Sequence, residues 1–182
     1  KNEKKNPKGM AGKLKILGVG IGGRGHAVLN GCCKKNDKEL YDDVEVIGLA
    51  DVDWNYAKGV MDEYKGYYPN CKMYNDYKVM FAELLEQADA VICATADHTH
   101  AIICAEALAA GKHVYCEKPL TRTVYESRLL TQLAAKANVA TQMGNQGASS
   151  EGDRIACEWI WNGEIGEVRR VEAFTDRPIW PQ

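Results

Sequence analysis

The sequence predicts an α/β fold, a doubly wound parallel sheet with helices on both faces. Three observations point to it. Strand-like and helix-like segments alternate six times from Leu14 onward. Several of the strand segments are nearly continuous apolar runs, Val44-Glu45-Val46-Ile47-Gly48-Leu49-Ala50 among them, as expected of strands covered on both faces. A glycine-rich turn, Gly18-Val19-Gly20-Ile21-Gly22-Gly23-Arg24-Gly25, separates the first strand from the first helix. Right-handed crossovers then follow from the topology.

In chain order, residues 1–13 are polar, with a proline and two glycines, and read as a flexible lead-in. Leu14–Val19 is the first strand, and after the glycine turn a helix runs to about Lys35, followed by a charged loop over 36–43. The second strand, Val44–Ala50, ends at Asp51-Val52-Asp53. Trp54, Ala57, Met61 and Tyr64 repeat at helical spacing, with Gly66 as the stop. Lys72–Tyr74 is a short strand, and Asp76 caps a helix whose apolar face is Tyr77, Met80, Phe81, Leu84 and Leu85. Ala88–Thr95 is the fourth strand, and the helix from Thr99 to Ala110 closes on Gly111. His113–Cys116 leads into Glu117-Lys118-Pro119, and Thr123 with Glu126 forms a capping box before the helix carrying Leu130, Leu133 and Ala134. Val139–Met143 is the sixth strand. Beyond Gly147 come a helix carrying Ile155, Ala156, Trp159 and Ile160 that stops at Gly163, and a half-exposed strand over Val168–Phe174. There is no internal repeat.

The composition sets limits. With 182 residues, 46% hydrophobic, 26% charged and a net charge of −2, the chain reads as one globular domain, or one plus a fragment. No basic surplus argues for nucleic acid, and no apolar run approaches a membrane span. Seven cysteines, an odd number without a C-x-x-C, read as reduced thiols and favour the cytoplasm. The chain begins at Lys1 rather than Met, which leaves the periplasm open if an export signal was removed upstream.

Ligands of such sheets bind beyond the carboxyl ends of the strands, so the polar residues just after each strand matter most. At the first strand, two registers of G-x-G-x-x-G fit, Gly18/Gly20/Gly23 and Gly20/Gly22/Gly25. The second leaves a strand of ordinary length and is preferred. In it the first glycine permits the tight reversal, the second lets a pyrophosphate approach the backbone, and the third lets the helix pack on the strand. Asp51 follows Gly25 by 26 residues, where a carboxylate accepts both hydroxyls of an adenine ribose and repels a 2′-phosphate, favouring NAD over NADP. Asp53 suits capping of the next helix better.

Thr95-Ala96-Asp97-His98-Thr99-His100 ends the fourth strand. Thr95 and Asp97 line the cofactor cleft in this reading, while His98 and His100 stand equally well as capping or packing residues. Two histidines two apart at a helix start point in different directions, and no metal site is read from them. Lys118 can project from the fifth strand end toward a hydroxyl or carbonyl substrate, where desolvation and a cationic nicotinamide would make it a proton shuttle. Its plain alternative is a surface lysine paired with Glu117. The amides of Asn145 and Gln146 could bind a carboxamide or a sugar hydroxyl.

Gly20-Ile21-Gly22-Gly23-Arg24-Gly25, Ala50-Asp51-Val52-Asp53, Ala94-Thr95-Ala96-Asp97-His98-Thr99-His100 and Glu117-Lys118-Pro119 resemble the Gfo/Idh/MocA oxidoreductase family. Gln142-Met143-Gly144-Asn145-Gln146-Gly147 and Arg177-Pro178-Ile179-Trp180-Pro181-Gln182 look like a bacterial subgroup acting on sugars. The resemblance implies a Rossmann-type domain over 14–147, then over 148–182 a linking helix and the first strand of a truncated α+β second domain. It implies NAD-linked hydride transfer at a hydroxyl-bearing carbon of a sugar or cyclitol, with Lys118 as the catalytic residue in the proton path. Gly20, Ile21, Gly22, Gly23, Arg24, Gly25, Asp51, Thr95, Asp97, His98, Glu117, Lys118 and Asn145 are the cofactor-lining positions it implies. Homo-oligomerisation would run through the missing second domain, which in the family also brings a catalytic His. Ala96 stands where the family usually has Pro, and Ala148 where the subgroup often has His. Two other readings stay open: an NAD-dependent glycosidase or lyase that oxidises the sugar transiently, and a nucleotide-binding module without turnover.

Overall fold

The computed structural model describes residues 12–36 and 39–174. Contacts divide the chain into a unit ending at Gly144 and a unit beginning at Asn145. The first holds a six-stranded sheet of β1 (Leu14–Val19), β4 (Val44–Ala50), β5 (Lys72–Tyr74), β6 (Ala90–Cys93), β7 (His113–Glu117) and β8 (Thr141–Gly144). Their spatial order is β5-β4-β1-β6-β7-β8 and every pairing is parallel. The order reverses direction between β1 and β6, and the strand ends there face the crevice of a doubly wound sheet.

Both faces are covered, as the apolar runs require. On one face Ile16, Val46, Leu49 and Ile92 pack with Val28, Leu29 and Cys33 of α1 (Arg24–Cys33) and with Val60 and Tyr64 of α2 (Lys58–Tyr67). On the other, Leu17, Val19, Val91 and Cys116 meet Met80, Phe81 and Leu84 of α3 (Tyr77–Leu84). That face is completed by Ile103, Cys104 and Leu108 of α4 (His100–Ala109) and Leu130 of α5 (Val124–Ala137). Thr123 and Glu126 close the expected capping box at α5, and Asp76 Oδ1 accepts from Lys78 N–H at 2.8 Å.

Several boundaries differ from the sequence reading. The expected charged loop after α1 contains a two-stranded antiparallel ribbon, β2 (Lys34–Asn36) with β3 (Glu39–Leu40), fixed where Tyr41 N–H donates to Cys33 O at 2.9 Å. The helix expected from Trp54 begins at Lys58. Asp53 Oδ1 accepts from Asn55 and Tyr56 N–H, and this turn precedes the helix. The fourth strand, Ala90–Cys93, is shorter than Ala88–Thr95; Asp89 just before it bonds to both neighbouring strands through its backbone, and its carboxylate accepts from Lys15 N–H at 2.8 Å.

In the second unit, α6 spans Glu151–Trp161, capped by Ser150, whose hydroxyl accepts from Asp153 N–H. Its apolar residues Ile155, Trp159 and Ile160 are exposed. The strand expected over Val168–Phe174 is not formed, and Phe174 is 94% exposed. An extended segment becomes a strand only on a ladder partner, and no described residue provides one. Arg177–Gln182 and most of the lead-in lie outside the described residues.

Candidate active site

The glycine turn adopts the Gly20/Gly22/Gly25 register. Gly20 has φ +72°, and a Cβ there would stand 2.7 Å from the Thr95 backbone, so this position joins the β1 turn to the β6 end. A Cβ on Gly25 would lie 2.0 Å from Gly20 O, which is how closely α1 is packed on its strand. At Gly22 a Cβ would meet the exposed ring of Tyr56 at 2.8 Å and, at 3.7 Å, Asp51 Oδ2. Gly18, the alternative first glycine, is an interior residue of β1 instead.

Asp51 faces this loop. Ile21 N–H and Gly22 N–H donate to its Oδ2 at 2.9 and 3.0 Å, and Asp53 N–H donates to Oδ1 at 3.0 Å. The carboxylate thus anchors the phosphate-type loop while standing at the mouth of the neighbouring cavity. Ile21 contributes its N–H here, since its side chain is fully buried in the core.

That cavity, of about 680 Å³, is lined by Gly20, Gly22, Asp51, Tyr56, Thr95 and His98 among others. Its size suits a cofactor fragment rather than a solvent crack. Asn75, Asp76 and Tyr77 complete its wall. Sequence reasoning missed Asn75 and Tyr77 as lining residues and read Asp76 only as a cap. The signal was present: these residues follow the third strand directly, and the strand-end rule applied to β5 would have found them.

The β7 end is built differently. Glu117 is 4% exposed, and Arg24 Nε donates to its Oε1 at 3.1 Å. Tyr115 Oη donates to the same oxygen at 3.2 Å, and burial together with the Glu117 charge pushes the Tyr115 phenol up. A Cβ on Gly144 would be 2.4 Å from Glu117 Oε1, so β8 comes close enough to hold that carboxyl in place. Lys118 is exposed at the rim, its own N–H 3.4 Å from Glu117 Oε2. Arg24 and Glu117, both expected as cofactor-lining positions, are therefore paired with each other across the crevice.

His100 is 1% exposed and braces two strand ends. Its Nδ1 is 2.6 Å from Pro119 O and its Nε2 3.0 Å from Thr95 O, so a ring N–H donates to one of these carbonyls in either neutral tautomer. Of the two open readings of His100, the packing one holds. His98 instead lies exposed on the cavity lining, and Asp97 is exposed in the turn before α4. The Thr95 hydroxyl accepts from Thr99 Oγ1 at 2.7 Å. Asn145 opens the second unit, where its carbonyl accepts from the Ser149 hydroxyl at 3.2 Å.

Residues 13–145 match the family model described as an oxidoreductase family with an NAD-binding Rossmann fold, GFO_IDH_MocA. The chain belongs to the Gfo/Idh/MocA family. Inositol 2-dehydrogenase of Salmonella typhimurium is 27% identical over 160 residues, 87% of this chain and 44% of that protein. Myo-inositol 2-dehydrogenase from Lactobacillus plantarum shares the fold with a TM-score of 0.70 at 23% identity, over 86% of this chain and 43% of that one. An NAD-binding protein from Listeria innocua superposes with a TM-score of 0.65 at 29% identity, over 85% and 42%. The chain spans less than half the length of each of these three proteins. No helix among the described residues is long and apolar enough to cross a membrane.

Proposed function

We propose that this chain is the cofactor-binding part of an NAD-dependent dehydrogenase that moves hydride between nicotinamide and a hydroxyl-bearing carbon of a sugar or cyclitol. The observation that carries the reading is the convergence of four strand ends on one crevice: the glycine turn, Asp51, Thr95 and Glu117-Lys118. In this reading the adenosine half occupies the cavity between the β5 and β6 ends. Asp51, placed at the cavity mouth, accepts from the ribose hydroxyls, and its charge disfavours a 2′-phosphate. The nicotinamide half reaches across the β6 and β7 ends to Lys118.

When bound, the cofactor supplies the hydride acceptor. The chain's own residues handle position and proton. Glu117, held by Arg24 and Tyr115, fixes the β7 end, and His100 fixes the carbonyls on either side of the crevice floor. Lys118, exposed at the rim, takes the proton released as the hydroxyl becomes a carbonyl. A polyol substrate is supported by the inositol 2-dehydrogenase relative and by the E-K-P motif. Domain boundaries at 147/148, with residues 148–182 leading into a second domain, belong to the same proposal, as does homo-oligomerisation through that domain.

The test is kinetic, on the full-length protein that carries this chain, with NAD and a panel of sugars and cyclitols. Lys118→Met is expected to lower kcat at least about 100-fold while NADH binding persists. Unchanged turnover removes Lys118 from the proton path. NADH accumulation during turnover supports net oxidation, whereas product release without it points to the transient-oxidation glycosidase.

A further inference from the structure

Three cysteines meet beneath the crevice floor. Cys93 ends β6, Cys116 is its direct register partner on β7, and Cys104 lies on α4, which packs over both strands. All three are at most 1% exposed, and their Sγ atoms lie within 4.8 Å of one another. None of the seven cysteines is in a disulfide. A second cavity, of about 310 Å³, is lined by Cys104 and Cys116 together with Leu108, Leu130 and Met143. It lies against the Cys104 and Cys116 side of the cluster, toward α5 and β8.

We propose that Cys93, Cys104 and Cys116 form a binding site for one soft, thiophilic metal ion of the Cu(I) class. The donor set is sulfur alone, which selects soft ions over magnesium, calcium or manganese. The nearest imidazole is unavailable as a fourth ligand, because both His100 nitrogens face carbonyl oxygens. A closed zinc site takes four protein ligands, and an open one keeps a water that the surrounding Ile103, Leu108 and Leu130 side chains do not welcome. Three sulfurs complete a trigonal Cu(I) site without a fourth ligand. An ion about 2.3 Å from three coplanar sulfurs holds them roughly 4.0 Å apart, so the cluster closes by under about an ångström. Behind the ligands, the Thr95 hydroxyl is 3.5 Å from Cys93 Sγ, where it can donate to a thiolate. Binding forms metal–sulfur bonds and releases thiol protons to solvent, with no change in oxidation state.

The probe is Cu(I) itself, added anaerobically to the reduced 182-residue chain in competition with a chromophoric Cu(I) chelator. The background is a Cys32→Ser/Cys157→Ser variant, which removes the cysteines that are not buried. One equivalent is expected to bind, with near-ultraviolet sulfur-to-metal absorption. Cys93→Ala, Cys104→Ala and Cys116→Ala are each expected to weaken binding at least about 100-fold. X-ray absorption on the background protein, which needs no core variant to fold, is expected to show three sulfur scatterers. Two sulfurs, or nitrogen and oxygen donors, overturn the assignment. So does stoichiometric binding that survives Cys104→Ala in a folded chain, or no Cu(I) uptake by the reduced background protein.

Discussion

The two ends of the crevice hold their functional groups by different means. At the β1–β4 end the work is done by backbone: glycines without side chains, and two loop N–H groups donating to one carboxylate, Asp51. At the β6–β7 end it is done by side chains from far-apart segments. Arg24 reaches Glu117 across 93 positions of sequence, and His100 reaches Pro119 across 19. A backbone site depends on residue types at short, fixed spacing, so substitutions there act sharply and separably. A side-chain brace spreads its cost over several partners, so single changes there should be milder.

The sharpest contrast lies within the glycine turn. A methyl on Gly25 has nowhere to go, because the atom it meets at 2.0 Å is the backbone oxygen of Gly20. Gly25→Ala is expected to destabilise the sheet unit by about 3 kcal/mol or more, read as a lower urea midpoint. Gly22 is three residues away and differs in kind, since its nearest neighbour is the solvent-exposed side-chain ring of Tyr56 rather than backbone. Gly22→Val should leave the urea midpoint in place yet weaken NADH binding at least 100-fold, about 2.8 kcal/mol, in a fluorescence titration. If both variants behaved alike, the division of labour inside the turn would be wrong.

The brace is probed at His100. His100→Leu leaves the Thr95 and Pro119 carbonyls without their imidazole partner, at a cost of about 2 kcal/mol in chemical unfolding. His100→Gln, which keeps a donor, should recover part of that loss. A full 3 kcal/mol from His100→Leu would erase the distinction between a spread brace and a sharp backbone contact.

This distinction also explains what was legible in advance. The sheet, the glycine register and the capping box at Thr123 follow from local patterns, and all were readable; Asp53, expected to cap the next helix, instead holds the turn before it, and the N-cap position of α2 is Ala57. The Arg24–Glu117 pair, the His100 bridge and the cysteine triangle are products of tertiary packing, and no spacing rule announces contacts between residues so distant in sequence. Asn75 and Tyr77 are the exception, visible from their place after a strand. Val168–Phe174 shows the converse: its alternation is real, but alternation specifies which face is apolar and not whether a partner strand is there to pair with.

One side-chain network crosses the backbone-built end as well, and it tests how general the contrast is. Glu63 on α2 accepts from Lys34 Nζ at 2.5 Å and lies 2.6 Å from His26 Nε2 on α1, with Tyr67 Oη donating at 3.0 Å. Burial alone would raise its carboxyl, but the bonds from Lys34, His26 and Tyr67 outweigh that and hold it below its ordinary 4.5. A carboxylate depressed in the folded state stabilises above its unfolded value, and that contribution is lost as the pH falls through the folded one. Glu63→Gln should therefore cost no more than about 1 kcal/mol at pH 7, as expected for a partly exposed pair. The difference from the parent should shrink as the pH falls below 4.5 and vanish only once it is below the depressed folded-state value. Because α1 carries the glycine turn at its start, NADH affinity is the second readout. An unchanged affinity in Glu63→Gln means the turn is held by backbone alone, whereas a loss larger than that of His100→Leu means this network braces the crevice more than the β6–β7 end does.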